Sequence, residues 1–158
     1  MPAAPLPANE AERLRDLRRY QVLDTPPDAG LDALTELAAQ LAGTPIALIS
    51  LTDETRQWFK ARVGVTQQQT PRDVAFCAHA ILQHEPLIVS NALKDPRFAD
   101  STLVTREPHI RFYAGFPLID HEGFAIGTLC ALDRKPRRLS APQRAAMTAL
   151  SRQVMALL

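Results

Sequence analysis

Glycine is scarce in this chain, with six scattered through 158 residues. A phosphate-cradling P-loop or a dinucleotide fingerprint needs clustered glycines, because the backbone must approach phosphate closely. Neither can be built here, and no G-x-S-x-G or H-E-x-x-H pattern occurs either. Two cysteines, Cys77 and Cys130, are too few for a disulfide-stapled secreted scaffold or a four-ligand zinc site. No sign of charge dominates: eighteen Lys and Arg face seventeen Asp and Glu, for a net charge of +1. A nucleic-acid binder normally carries a basic face and a high pI, so no nucleic-acid partner is expected. No apolar run approaches the roughly 20 residues of a membrane helix. The first seven residues lack the positive charge and hydrophobic run of a signal peptide. The expected compartment is the cytoplasm, with no membrane partner.

What is present is the balance of a soluble globular protein, 46% hydrophobic and 22% charged. The length fits one domain, since domains typically hold about 100–150 residues. Residues 1–8, rich in proline and alanine, read as a disordered lead, and residues 9–158 as the domain.

Asn9 and Glu12 stand at capping-box spacing and open an expected helix through Leu14 and Leu17 to Tyr20, its charged residues forming a solvated face. After a proline turn at residues 24–28, apolar residues from Leu31 to Leu41 recur at helical spacing and end at Gly43, a plausible C-cap. Residues 45–52 form a nearly continuous apolar run, as expected of a strand buried on both faces. A second strand is expected over 57–63, with Trp58 and Phe59 on opposite sides. Residues 65–72 read as a loop, 73–83 as a short helix and 87–90 as a brief strand. The polar segment 91–108 reads as a lid-like loop with one helical turn near 95–99. Residues 112–119 and 124–133 form a hairpin. Ser140 and Gln143 form a second capping box at the head of a final helix, 140–158. Along it Met147, Leu150, Val154 and Leu157 fall at the 3-4-3 spacing of a heptad seam. No glycine or proline ends this helix, which points to a dimer contact or to continuation into further protein.

Several stretches carry a family resemblance: Tyr20–Pro27, Arg56–Lys60, Phe76–Ile81, Asp95–Phe98, Ile110–Gly115 and Gly127–Cys130. In this order they resemble bacterial GAF domains, relatives of the PAS sensor fold, over roughly residues 10–157. The resemblance implies an α+β fold with a central antiparallel sheet of five to six strands. Helices would cover one face, and a pocket-forming helix and loop the other. It also implies a sensory domain without catalytic or metal-binding residues, whose first and last helices carry the signal to a homodimer partner or to a kinase, cyclase or phosphodiesterase output. Leu14, Leu17, Met147, Leu150, Val154 and Leu157 would form that transmitting bundle.

On this topology the ligand-binding candidates are Phe76, Cys77, His79, Asp95, Arg97, Arg111 and Tyr113. Aromatic walls with a few convergent polar groups suit a small ligand, and Arg111 could hold a carboxylate or phosphate bidentately. The ligand and any cofactor stay unidentified at this stage. Cys77 and His79 lie two apart and would point some 200° away from each other on a helix, so they cannot share an ion there. Two alternatives stand beside the sensor: a thiol-based redox enzyme or sensor similar to the free methionine sulfoxide reductases, using Cys77 and Cys130, and a ligand-free dimerisation module.

Overall fold

A computed structural model of the chain describes residues 3–158. The reading of Met1 and Pro2 as part of a disordered lead lies outside the described residues. Helices α1 (Glu10–Arg19) and α2 (Ala29–Ala42) precede strands β1 (Ile46–Thr52), β2 (Arg56–Val63) and β3 (Gln69–Pro71). Helix α3 (Cys77–Ala80), strand β4 (Leu87–Val89) and helix α4 (Thr102–Thr105) follow, then β5 (Phe112–Ile119), β6 (Ala125–Asp133) and helix α5 (Ala141–Leu157). The strands form one sheet in the order β3-β2-β1-β6-β5-β4, and every pairing is antiparallel.

The sheet is covered on both sides, which explains the unbroken apolar runs of its central strands. On one face Ala47, Ile49, Leu51, Trp58, Phe112, Ala114 and Phe116 meet Leu17 of α1, Leu31 and Ala38 of α2, and Met147 and Val154 of α5. On the other Ile46, Leu48, Phe59, Tyr113, Cys130 and Leu132 meet Phe76, Cys77 and Ala80 around α3, together with Phe98, Val104 and Ile110. Trp58 and Phe59 do take opposite faces.

Local chemistry sets the helix ends. Asp28 accepts from the Leu31 N–H at 2.9 Å to start α2, and Gly43, at φ 68°, ends it in the left-handed conformation. Both bonds of the capping box form at α5: Gln143 N–H donates to Ser140 Oγ at 3.2 Å, and Ser140 N–H to Gln143 Oε1 at 2.8 Å. Gln143 Nε2 also donates to the Leu41 carbonyl at 3.0 Å, tying α5 to α2.

Several expectations are corrected. Asn9 caps α1 without a side-chain hydrogen bond, because its backbone (φ −105°, ψ 28°) is not in the extended conformation that aims a cap side chain at the first turn. The face expected to be solvated carries two buried charges, Arg13 and Asp16. The Arg13 guanidinium donates to the Thr52 carbonyl at 2.8 Å and the Ala125 carbonyl at 3.4 Å, pinning α1 across the ends of β1 and β6. The loop expected over 65–72 contains the short edge strand β3. The helix expected over 73–83 narrows to a 3-10 turn, Arg72–Val74, and the single turn of α3, because Ala75 between them is extended (φ −88°, ψ 133°). Within 91–108 the turn near Asp95 is present, with the Phe98 and Ala99 N–H groups donating to the Asp95 carbonyl. A 3-10 turn at Ala92–Lys94 precedes it, and α4, whose Leu103 N–H is capped by Ser101 Oγ at 3.2 Å, follows.

Candidate functional site

On the second face the sheet, α3 and the segment 91–110 leave a cavity of about 110 Å³ between them. Its walls are apolar, from Leu48, Phe59, Phe76, Leu103, Ile110 and Leu132 among others, and its polar groups are Ser50, Gln57, Gln67, Thr70, Cys77 and Tyr113. Among the described residues no charged side chain lines it. Two features organise the polar part.

The first is Gln57. Antiparallel register sets it opposite Thr52 of β1 and Thr70 of β3. Its side chain is buried, and Oε1 accepts from Ser50 Oγ at 2.8 Å and Thr52 Oγ1 at 3.0 Å. The amide nitrogen is out of reach of solvent and has no partner among the described residues. An orphaned buried donor costs about 1–3 kcal/mol, and the Gln57 side chain is one of those that line the cavity.

The second is a cage around Cys77. Its Sγ receives hydrogen bonds from Thr128 Oγ1 at 3.1 Å and Tyr113 Oη at 3.2 Å, and lies 4.0 Å from Cys130 Sγ. The Cys130 thiol, and after it the Thr128 and Tyr113 hydroxyls, favour the thiolate and hold the Cys77 thiol down at about 7 against the opposing effect of burial. The same sulfur contact, reinforced by burial, pushes Cys130 well above its ordinary value. Burial and then the nearby sulfur charges push the Tyr113 phenol up, so it remains a donor. Gly115 makes the geometry possible. A Cβ there would lie 2.2 Å from Tyr113 Oη, so only glycine lets the ring fold over the strand toward sulfur.

Of the residues proposed from sequence, Phe76, Cys77 and Tyr113 line the cavity, whereas His79, Asp95, Arg97 and Arg111 do not. Phe76 stacks edge-on against both Tyr113, with centroids 5.2 Å apart, and Phe98, at 4.7 Å. His79 lies beyond, edge-on to Phe98 at 4.9 Å. Burial, and then the Arg97 charge, lower its pKa, and its Nε2 is buried without a partner among the described residues. Asp95 and Arg97 pair with each other at 2.8 Å, with Arg97 over the Phe98 ring. Arg111 Nη1 donates to the Val104 and Ile110 carbonyls at 2.9 and 3.1 Å, clamping the loop that roofs the cavity. Cys77 and His79 therefore diverge, as their spacing requires.

Sequence reasoning passed over Gln57, Ser50 and Thr70. Ser50 did leave a trace, as the one polar residue inside the apolar run 46–51. Gln57 left none, because its partners come from strand register. In the proposed transmitting set Leu14, Leu17, Met147 and Val154 are buried in the chain's own core, Leu150 is half-buried, and Leu157 is 55% exposed. A larger groove of about 430 Å³ runs between α5 and the β4–β5 edge, past His84, Phe116, Thr148 and Arg152. No buried unpartnered polar atom among the described residues lines it, and the smaller cavity is the stronger candidate.

This strand order, with long helices on one face and a one-turn helix and loop enclosing a cavity on the other, defines a GAF-type α+β domain. The profile of the GAF domain family matches residues 26–158, and the chain belongs to that family. It is 42% identical over 147 residues to a cyclic di-GMP phosphodiesterase of Pseudomonas aeruginosa, an alignment covering 93% of this chain and 25% of that protein. The chain thus spans about a quarter of the length of that relative. Among solved structures it resembles the GAF domain of an Acinetobacter phosphoenolpyruvate-protein phosphotransferase, with TM-score 0.67 at 17% identity over 93% of this chain and 90% of that one. It also resembles a type II free methionine-R-sulfoxide reductase of Thermoplasma acidophilum, with TM-score 0.67 at 13% identity over 90% and 94%. At these identities the two structures establish the fold alone. Among the described residues no helix is long and apolar enough to cross a membrane.

Proposed function

We propose that this GAF domain is a non-enzymatic sensory module that binds a small uncharged molecule in the cavity and reports its presence to a signalling output. The observation that carries this reading is the buried Gln57 amide nitrogen, without a partner among the described residues, on a side chain that lines the cavity. A ligand carbonyl, hydroxyl or ring nitrogen satisfies it while the apolar walls bury the remainder. With no Arg or Lys at the lining, a phosphate or cyclic dinucleotide has no counter-charge there. The ligand is therefore neutral where it enters the cavity, and the part held there is about the size of a single ring.

The relative named a cyclic di-GMP phosphodiesterase supports an output of that class, among the kinase, cyclase and phosphodiesterase outputs the family resemblance implies. Two unpaired buried thiols suit a reducing cytoplasm. Transmission runs through α1 and α5, both packed on the face opposite the cavity. A homodimer contact on α5 would use the exposed Leu157 and the half-buried Leu150, because Met147 and Val154 are already spent on the internal core.

The test is a thermal-shift screen with a library of neutral single-ring amides, lactams and alcohols, repeated on Gln57→Met, which keeps the length and removes the amide. We predict that hits weaken at least tenfold in the variant, the loss of about one well-made hydrogen bond. Hits of unchanged affinity would place the ligand elsewhere.

A further inference from the structure

The two cysteines lie 53 residues apart in sequence and on different elements, yet both line the same cavity, their sulfurs 4.0 Å from each other. Cys130 sits in the middle of β6, paired with Leu48 of β1 on one side and Gly115 of β5 on the other, so its backbone is fixed. Cys77 opens a single helical turn flanked by irregular backbone, the more adjustable of the two supports. The surroundings are unequal. Two hydroxyls donate to Cys77 Sγ, an arrangement that favours its thiolate as a nucleophile. Although both residues are buried, the cavity beside them has room for several water-sized molecules, and therefore for a small hydroperoxide.

We propose that Cys77 and Cys130 are a peroxide-responsive thiol pair, closing to a reversible disulfide when a small hydroperoxide enters the cavity. The Cys77 thiolate attacks one peroxide oxygen; an S–O bond forms and the O–O bond breaks. The departing alkoxide, or hydroxide from hydrogen peroxide, takes up the proton released by Cys77 and leaves as alcohol or water. Cys130 then attacks the sulfenic sulfur; the S–S bond forms, the S–O bond breaks, and hydroxide leaves as water with the Cys130 proton. Two thiols have lost two electrons and two protons, and the peroxide has taken them. A dithiol reductant reverses the step by exchange.

Closing the bond draws the sulfurs together by about 2 Å. Because β6 is held by both neighbours, α3 makes most of that movement. Cys77 then leaves the Tyr113 and Thr128 hydroxyls, and the cavity wall moves with it. Oxidation thus alters the proposed ligand site, although the thiol chemistry does not depend on that site being occupied.

The test uses the reduced wild-type chain, exposed to hydrogen peroxide and followed by intact mass under non-reducing conditions. The expected product has lost two hydrogens per chain, yields one peptide pair joined through Cys77 and Cys130 after digestion, and returns to the starting mass with dithiothreitol. Cys77→Ser should slow peroxide consumption at least about tenfold, and Cys130→Ser should accumulate a Cys77 sulfenic acid that dimedone traps. Two wild-type results would overturn the proposal: oxygen added at Cys77 with no cross-link, or both thiols still free to alkylation in denaturant after exposure.

Discussion

Glu10 shows how single charges are set to work in this fold. Burial alone would raise its pKa, but hydrogen bonds from Arg13, at 2.9 Å, and Arg72, at 2.5 Å, outweigh that and hold it at about 2. Because the folded value is depressed, the stabilisation is complete above the ordinary value of 4.5 and is lost as pH falls toward 2. We predict that Glu10→Gln costs about 1–2 kcal/mol at neutral pH, after allowance for solvent screening, and that the difference from wild type vanishes near pH 2. Urea titrations across that range measure it. Gly115 offers a second residue-scale test. Gly115→Ala puts a methyl group where Tyr113 Oη lies, so the ring must move and its bond to Cys77 is lost. The expected cost is about 1–3 kcal/mol, the range for an overpacked core. The Cys77 thiol should also titrate higher, as read from the pH dependence of its alkylation in Cys130→Ser and in that variant with Gly115→Ala added. An unshifted titration would mean that the Tyr113 hydroxyl does not set the thiol's state.

At the scale of elements, what could be read from the sequence depended on where an element's determinants lie. The central strands β1, β5 and β6 could be placed because nearly unbroken apolar runs require burial on both faces, and α2 and α5 because helical spacing is bounded by Gly43 in one and by Ser140 and Gln143 in the other, residues that act within a turn of those they cap. The edge strand β3 was missed because three polar-rich residues have no periodicity of their own and become a strand only by pairing with Arg56–Trp58. Helix α1 was misjudged for a similar reason. Arg13 looks like one surface charge among several until β1 and β6 present their terminal carbonyls to it. The heptad-like spacing on α5 was real, but its partners are mostly internal. Two substitutions separate these roles. We predict that Val154→Glu, which places a charge in the core, destabilises the chain by about 3 kcal/mol or more. Leu157→Glu, at an exposed position, should change stability by less than about 0.5 kcal/mol and reduce only self-association. Chemical denaturation read beside sedimentation distinguishes them, and equal destabilisation by both would place Leu157 in the core as well.

For the molecule as a whole, the division of labour follows from a sheet buried on both sides. One face is an apolar helical core containing the elements proposed to transmit; the other is a thinner cover of short turns around a cavity lined by the Gln57 side chain and by two free thiols. The family and its sheet were readable because motif order and strand patterning survive in one sequence. The cavity was readable only in part: its aromatic and thiol members sit in recognisable stretches, while its key amide comes from the pairing of β1, β2 and β3. The charged candidates failed to reach the lining because each had a nearer partner, Asp95 for Arg97 and two loop carbonyls for Arg111. The most direct measurement is an amide-resolved NMR titration of the labelled chain with the neutral single-ring library. The predicted result is that hits give their largest shifts at the Gln57 side-chain amide and the backbone amides of Cys77 and Tyr113, larger than any around Thr148 and Arg152. Hits that move the α5 groove and leave the Gln57 amide unchanged would contradict the assignment of the cavity as the ligand site.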